Sequence, residues 1–155
     1  MTTPAIPAKL GKNAKLYFCA AGIASTPTWT EVPNVQNLKS SDQMGGADVT
    51  TRGSGRMKLE MPTLETVSVE FDMIWNTLDP ALQAFKAAYQ AQGYIGCAIM
   101  DGDITVPGSE GLCADMAVFA FEREEPLEAA MTVKVTLKPT LSPTPPFWKV
   151  VPTNP

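Results

Sequence analysis

Thr66-Val67-Ser68-Val69-Glu70-Phe71-Asp72-Met73-Ile74-Trp75 decides the class of fold. Val67, Val69, Phe71, Met73 and Trp75 fall on one side of an extended chain, while Thr66, Ser68, Glu70 and Asp72 fall on the other. A period of two, with one apolar and one polar face, marks a half-buried antiparallel strand. Met131 to Lys138 repeats the pattern: Met131, Val133, Val135 and Leu137 point inward and Thr132, Lys134, Thr136 and Lys138 outward. Leu112 to Glu122 is also strand-like, but it is apolar on both sides near residues 118–121, which predicts burial of both faces there. Shorter strands are expected at Lys15–Ala20, Thr28–Val32 and Tyr94–Met100, the last followed by an Asp101-Gly102 turn.

A single helix is expected, over residues 79–92. Asp79 suits its N-cap, Pro80 its first turn and Gly93 its stop. Leu82, Phe85 and Tyr89 form its apolar stripe, with alanines between them that allow close packing. One helix over antiparallel strands gives a mainly β protein.

Composition narrows the function. The chain has 155 residues, 45% of them hydrophobic, which suits one domain with a sizeable core. It contains no histidine, which excludes Ser-His-Asp and Cys-His catalysis and imidazole metal sites. Twelve Lys and Arg against sixteen Asp and Glu, a net charge of -4, give no basic footprint for gripping nucleic acid. Cys19, Cys97 and Cys113 have no C-x-x-C spacing and read as reduced thiols. Neither a secretory signal nor a membrane span is expected, so a cytoplasmic, soluble protein is the reading.

Three zones follow: a Pro/Ala/Lys-rich flexible segment at 1–13, a patterned domain at 14–138, and an extended tail at 139–155 holding six of the fourteen prolines. The tail also carries Phe147, Trp148, Val150 and Val151, which a free linker has no use for. They dock either on their own domain or on a neighbouring subunit. Residues 39–57 are a polar stretch, rich in Ser, Thr, Gly, Asp and Arg, between a strand ending near Leu38 and one beginning near Lys58. So long a loop is uncommon unless functional, and a projecting arm is expected.

Sites for chemistry are scarce. Asp101 with Asp103, and Glu122 with Glu124, Glu125 and Glu128, read as solvated turn and loop carboxylates. Asp101-Gly102-Asp103 fails as a calcium loop because the twelfth position is Leu112, not Glu. Arg52-Gly53-Ser54-Gly55-Arg56 has no following helix to hold a phosphate. No catalytic, cofactor or metal site is assigned.

The order of segments carries more. A strand at 14–19 leads to Trp29-Thr-Glu-Val-Pro-Asn-Val, then to a polar arm with Ala47-Asp-Val-Thr-Thr-Arg-Gly-Ser, the alternating strand and the helix. Gly111-Leu-Cys-Ala-Asp-Met-Ala-Val-Phe-Ala-Phe-Glu and Pro126-Leu-Glu-Ala-Ala-Met-Thr-Val-Lys-Val-Thr-Leu-Lys-Pro-Thr close the domain. Over roughly residues 10–140 this layout resembles the major tail tube proteins of long-tailed, siphovirus-like bacteriophages. The resemblance implies an antiparallel β-sandwich or barrel with one flanking helix. It also implies a non-enzymatic virion protein, without cofactor. Six copies would form a ring, and stacked rings a hollow tube conducting phage DNA into the host. Its partners would be its own copies, the tape-measure, tail-tip and tail-terminator proteins, and DNA passing without specific binding. Assembly would take place in the host cytoplasm.

Within that reading the arm, with Asp42, Asp48, Thr50, Arg52 and Arg56, is the candidate inter-ring contact, ordering only on stacking. Phe147, Trp148 and Val150 are the candidate docking residues of the tail. Glu70, Asp72 and Glu122 are candidate lumen acids that repel DNA, against the plainer reading of solvated surface. Two other readings stand beside it: the tube protein of a contractile secretion or gene-transfer particle, and a β-sandwich carbohydrate-binding module stacking sugars on Trp29, Trp75 or Trp148.

Overall fold

The alternating stretch lies in β4 (Glu60–Ile74), and its apolar residues Val69, Phe71 and Met73 are buried. A computed structural model describes residues 10–24 and 28–152; most of the segment expected to be flexible, residues 1–9, lies outside that range. The other strands are β1 (Lys15–Cys19), β2 (Thr30–Glu31), β3 (Val35–Asp48), β5 (Ile95–Met100), β6 (Glu110–Glu124), β7 (Thr132–Pro139) and β8 (Phe147–Val150). They form one open antiparallel sheet in the order β2-β1-β5-β6-β7-β4-β3, with β8 pairing β6 off that path.

β6 organises the sheet. On one edge its Gly111–Met116 stretch pairs with β5. On the other edge Met116–Glu124 pairs with β7 and Glu110–Cys113 with β8, so β7 and β8 follow one another along the same side. The expectation of two-sided burial near residues 118–121 is corrected. A β-bulge between Val118 and Ala120 takes Phe119 out of register and leaves it 59% exposed. The extra residue shifts the parity, so Val118 opposite Leu137 and Phe121 opposite Val135 both face the core. Burial on both faces belongs instead to the first half of β6. There Ala114 and Met116 join the main core, and Cys113 joins a second cluster with Tyr17, Ala98 and Met100.

The helix α1 (Pro80–Ala91) covers the main core. Asp79 caps it by accepting the Ala81 N–H at 3.0 Å, and its other oxygen accepts from Asn34 Nδ2 at 3.2 Å. The left-handed stop is taken by Gln92 (φ 55), one residue before the glycine expected there. Phe85 is fully buried, edge-on to Phe71 at 5.4 Å between centroids and tilted against Phe18 at 6.1 Å.

Two further differences concern the ends of the pattern. The expected strand at 28–32 shrinks to a two-residue β2. The polar stretch 39–57 is mostly strand: β3 runs to Asp48, with Asp48 opposite Glu60 and Lys39 opposite Glu70. Backbone ladder bonds satisfy the chain there without a buried side-chain face, so no apolar period announces the strand.

Candidate assembly surfaces

Three surfaces carry the residues singled out by sequence. The first is the arm, the outer half of the β3–β4 hairpin. From Gln43 to Asp48 and from Glu60 to Thr66 every residue is exposed, so no buried side-chain face holds it. Irregular register between Gln36 and Lys39, where Asn37 has φ 51, and between Met44 and Gly46 breaks the ladder twice. The tip is a polar clasp. Asp48 accepts the Thr50 N–H at 2.9 Å, the Leu59 N–H donates to Thr50 Oγ1 at 2.8 Å, and the Thr51 N–H donates to Ser54 Oγ at 2.9 Å. Hydrogen bonds from the Thr50 side chain and backbone hold the Asp48 carboxyl below its ordinary pKa.

Arg52 and Arg56 are exposed at this tip, and neither is in an ion pair among the described residues, whereas Lys58 is 3.4 Å from Glu60. Asp42 lies at the root of the arm, opposite Val67. About nine extended residues separate it from Thr51, a span of roughly 30 Å. The expected arm residues therefore divide between root and tip. Exposed apolar side chains also line the arm, among them Met44, Met57, Leu59, Met61 and Leu64, the last 83% exposed. The alternation of Met57, Leu59 and Met61 was the signal for them, hidden in a stretch that reads as polar overall.

The second surface is the C-terminal strand. β8 lies on its own chain's β6, with Cys113 opposite Phe147 and Leu112 opposite Trp148. Backbone bonds from Gly108 to Val151 (3.0 Å) and from Val151 to Ser109 (2.8 Å) secure its end. Val151 packs on the Tyr17–Cys113 cluster, while Trp148 and Val150 stay more than half exposed. Trp148 walls a cleft of about 670 Å³ whose other side is the arm root, with Asp42, Glu65, Val67, Leu112 and Lys138 among its lining. Asp42 beside Glu65, by hydrogen bond and then by charge, raises the Glu65 pKa above the usual carboxylate value.

The third surface is the sheet face turned away from α1. Glu70 and Asp72 are half-buried there and Glu122 is exposed. The structure brings them into two adjacent cross-strand rows, interleaved with lysines. Lys39 stands opposite Glu70, and Lys134 stands between Asp72 on β4 and Glu122 on β6. Asn37 Nδ2 also donates to Asp72 at 3.2 Å. The face is of mixed charge, not purely acidic.

Of the aromatic residues considered for sugar stacking, Trp75 packs edge-on to Phe121 with the Arg123 guanidinium 4.9 Å from its ring centre. Trp29 packs on the second cluster.

No protein-family model matches the chain, and no curated protein matches it. Solved structures do. The chain is similar to the SPP1 tail tube at 17% identity and a TM-score of 0.67, over 84% of this chain and 75% of that one. It is similar to a tail chain of the empty gene transfer agent particle, refined with C6 symmetry, at 9% identity and a TM-score of 0.68, over 87% and 96%. A chain of the six-fold symmetrised anti-feeding prophage baseplate matches at 11% identity and a TM-score of 0.60, over 97% and 99%. At these identities the likeness is one of fold, shared with the chains of the SPP1 tail tube, the gene transfer agent tail and the anti-feeding prophage baseplate.

Proposed function

We propose that this chain is the structural subunit of a tail tube: six copies close a ring, and rings stack into a hollow tube that conducts phage DNA. The observation that carries the reading is the fold shared with tail tube chains over at least 84% of its length. The arm supports it. A hairpin exposed on both faces, with apolar side chains along it, contributes nothing to its own domain's core and gains by contact with another copy. The outer edge of β3 supports it too, because an unpaired edge strand is an aggregation hazard unless a neighbour covers it.

In this reading the face turned away from α1 lines the lumen. Glu70, Asp72 and Glu122, tempered by Lys39 and Lys134, offer DNA no basic track. No catalysis is assigned. The tape-measure, tail-tip and tail-terminator proteins are the remaining partners, the virion tail is the location, and the host cytoplasm is the place of assembly. Negative-stain electron microscopy across a concentration series tests the reading. Hollow tubes or six-fold rings are expected. Particles that stay monomeric at every concentration, alone or with a tail-tip complex, would overturn it.

A further inference from the structure

Resting on that tube reading, we propose that the arm tip of one copy seats in the arm-root cleft of the next, with Arg52 and Arg56 meeting Asp42 and Glu65. The two surfaces are complementary in charge, and none of these four side chains is in an ion pair among the described residues. The cleft presents two neighbouring carboxylates against an apolar wall of Val67, Leu112 and Trp148. Neither carboxylate is in a salt bridge among the described residues. The nearest cationic side chain lining the cleft, Lys138, is turned over the Phe119 ring at 5.4 Å from its centre. Two like charges side by side favour a cation, and a planar guanidinium can bridge two carboxylates. Their hydrogen bond first, and the Asp42 charge after it, raise the Glu65 pKa.

The tip offers the matching half. Arg52 opens a short 3-10 turn at residues 52–54, Arg56 follows it, and Met57 beside Arg56 is 72% exposed. A methionine suits the apolar wall, where it would fit around Trp148 without fixed geometry. The tip cannot reach the cleft of its own chain, since about nine extended residues hold the two roughly 30 Å apart. Only a second copy can bring them together. Tip-to-root contact joins unlike surfaces and repeats without closing, which is what a column of rings needs along its axis.

The test uses cysteines beside the contact, leaving the four charges intact. Met57→Cys is placed in one chain and Thr66→Cys in a second chain carrying a mass tag. The native thiols Cys19, Cys97 and Cys113 are buried and stay silent. After mixing and oxidation, the tip–root heterodimer is expected to make up nearly all of the cross-linked product, against the half share that random collision gives. Arg52→Glu with Arg56→Glu in the first chain should abolish that excess, and Asp42→Arg with Glu65→Arg in the second should restore it. A random distribution, or an excess indifferent to the charge reversals, would overturn the assignment. Microscopy of the unaltered protein separates the two readings. Tubes with random cross-linking sink the cleft alone, and a heterodimer excess without tubes sinks the tube alone.

Discussion

Asp115 is 2% exposed in the middle of β6, and its Oδ1 accepts the backbone N–H of Ile23 at 2.8 Å. The bond ties the turn after β1 to a strand 92 residues further along the chain. Gly22 (φ 94) passes so close that a Cβ would lie 3.0 Å from the same oxygen. Asp115→Ala leaves the Ile23 amide unpaired, and a loss of about 1–3 kcal/mol is expected, read from denaturant midpoints. Gly111 is less forgiving. A Cβ there would stand 1.8 Å from the Ile99 carbonyl oxygen, in the backbone of the neighbouring strand. Gly111→Ala should give no soluble folded protein, visible as loss of the soluble fraction and of cooperative melting. Burial raises the Cys113 thiol to about 11 and pushes Cys97 higher still, so both should resist alkylation until the chain unfolds.

Elements whose side chains meet a core were legible in the sequence, and elements held by backbone alone were not. β4 and β7 alternate because one face of each is buried, and α1 shows its stripe and its cap for the same reason. Asp79→Ala should therefore cost about 1 kcal/mol in a thermal or chemical melt. The outer half of β3 has no buried face, and its strand character is written only in ladder bonds that composition does not reveal. The bulge at Phe119 hid in the same way, since one inserted residue made a one-sided strand look buried on both sides. Of the candidate residues, the sequence singled out the arm tip and the cleft's Asp42 and Trp148, but not Glu65, whose significance comes from a register only folding sets. At the tip, the Asp48 pKa is lowered by folding, so its clasp is intact above the ordinary aspartate value and is lost as pH falls through the lowered one. Amide exchange at Thr50 and Leu59, corrected for its intrinsic pH dependence, should show protection that survives at the ordinary aspartate value and falls only at lower pH.

For the whole molecule, docking of a guanidinium beside Glu65 would return its raised pKa toward or below the usual value, so contact between copies releases protons. Asp42 on β3 and Lys138 on β7 are the other charged groups facing this cleft. Association should therefore strengthen as pH rises through the carboxylate range, measured by sedimentation from pH 4 to 7. On the proposed lumen face, Glu70→Lys with Glu122→Lys sets four lysines against the single remaining Asp72, and tubes of that variant should retain DNA at low salt and release it at high salt. The order of strands in the sheet has a consequence of another kind, in time. β3 and β4 are neighbours in sequence and can pair as soon as they leave the ribosome, but the partner that covers the inner edge of β4 is β7, whose first residue is Thr132. At about 5–20 residues per second, the nascent chain holds the inner edge of β4 unpaired for roughly 3–12 s while the intervening residues are made. With β1 also waiting for β5, the folding rate is set by distant pairings, and the newborn chain passes through a sticky interval that a chaperone would shorten.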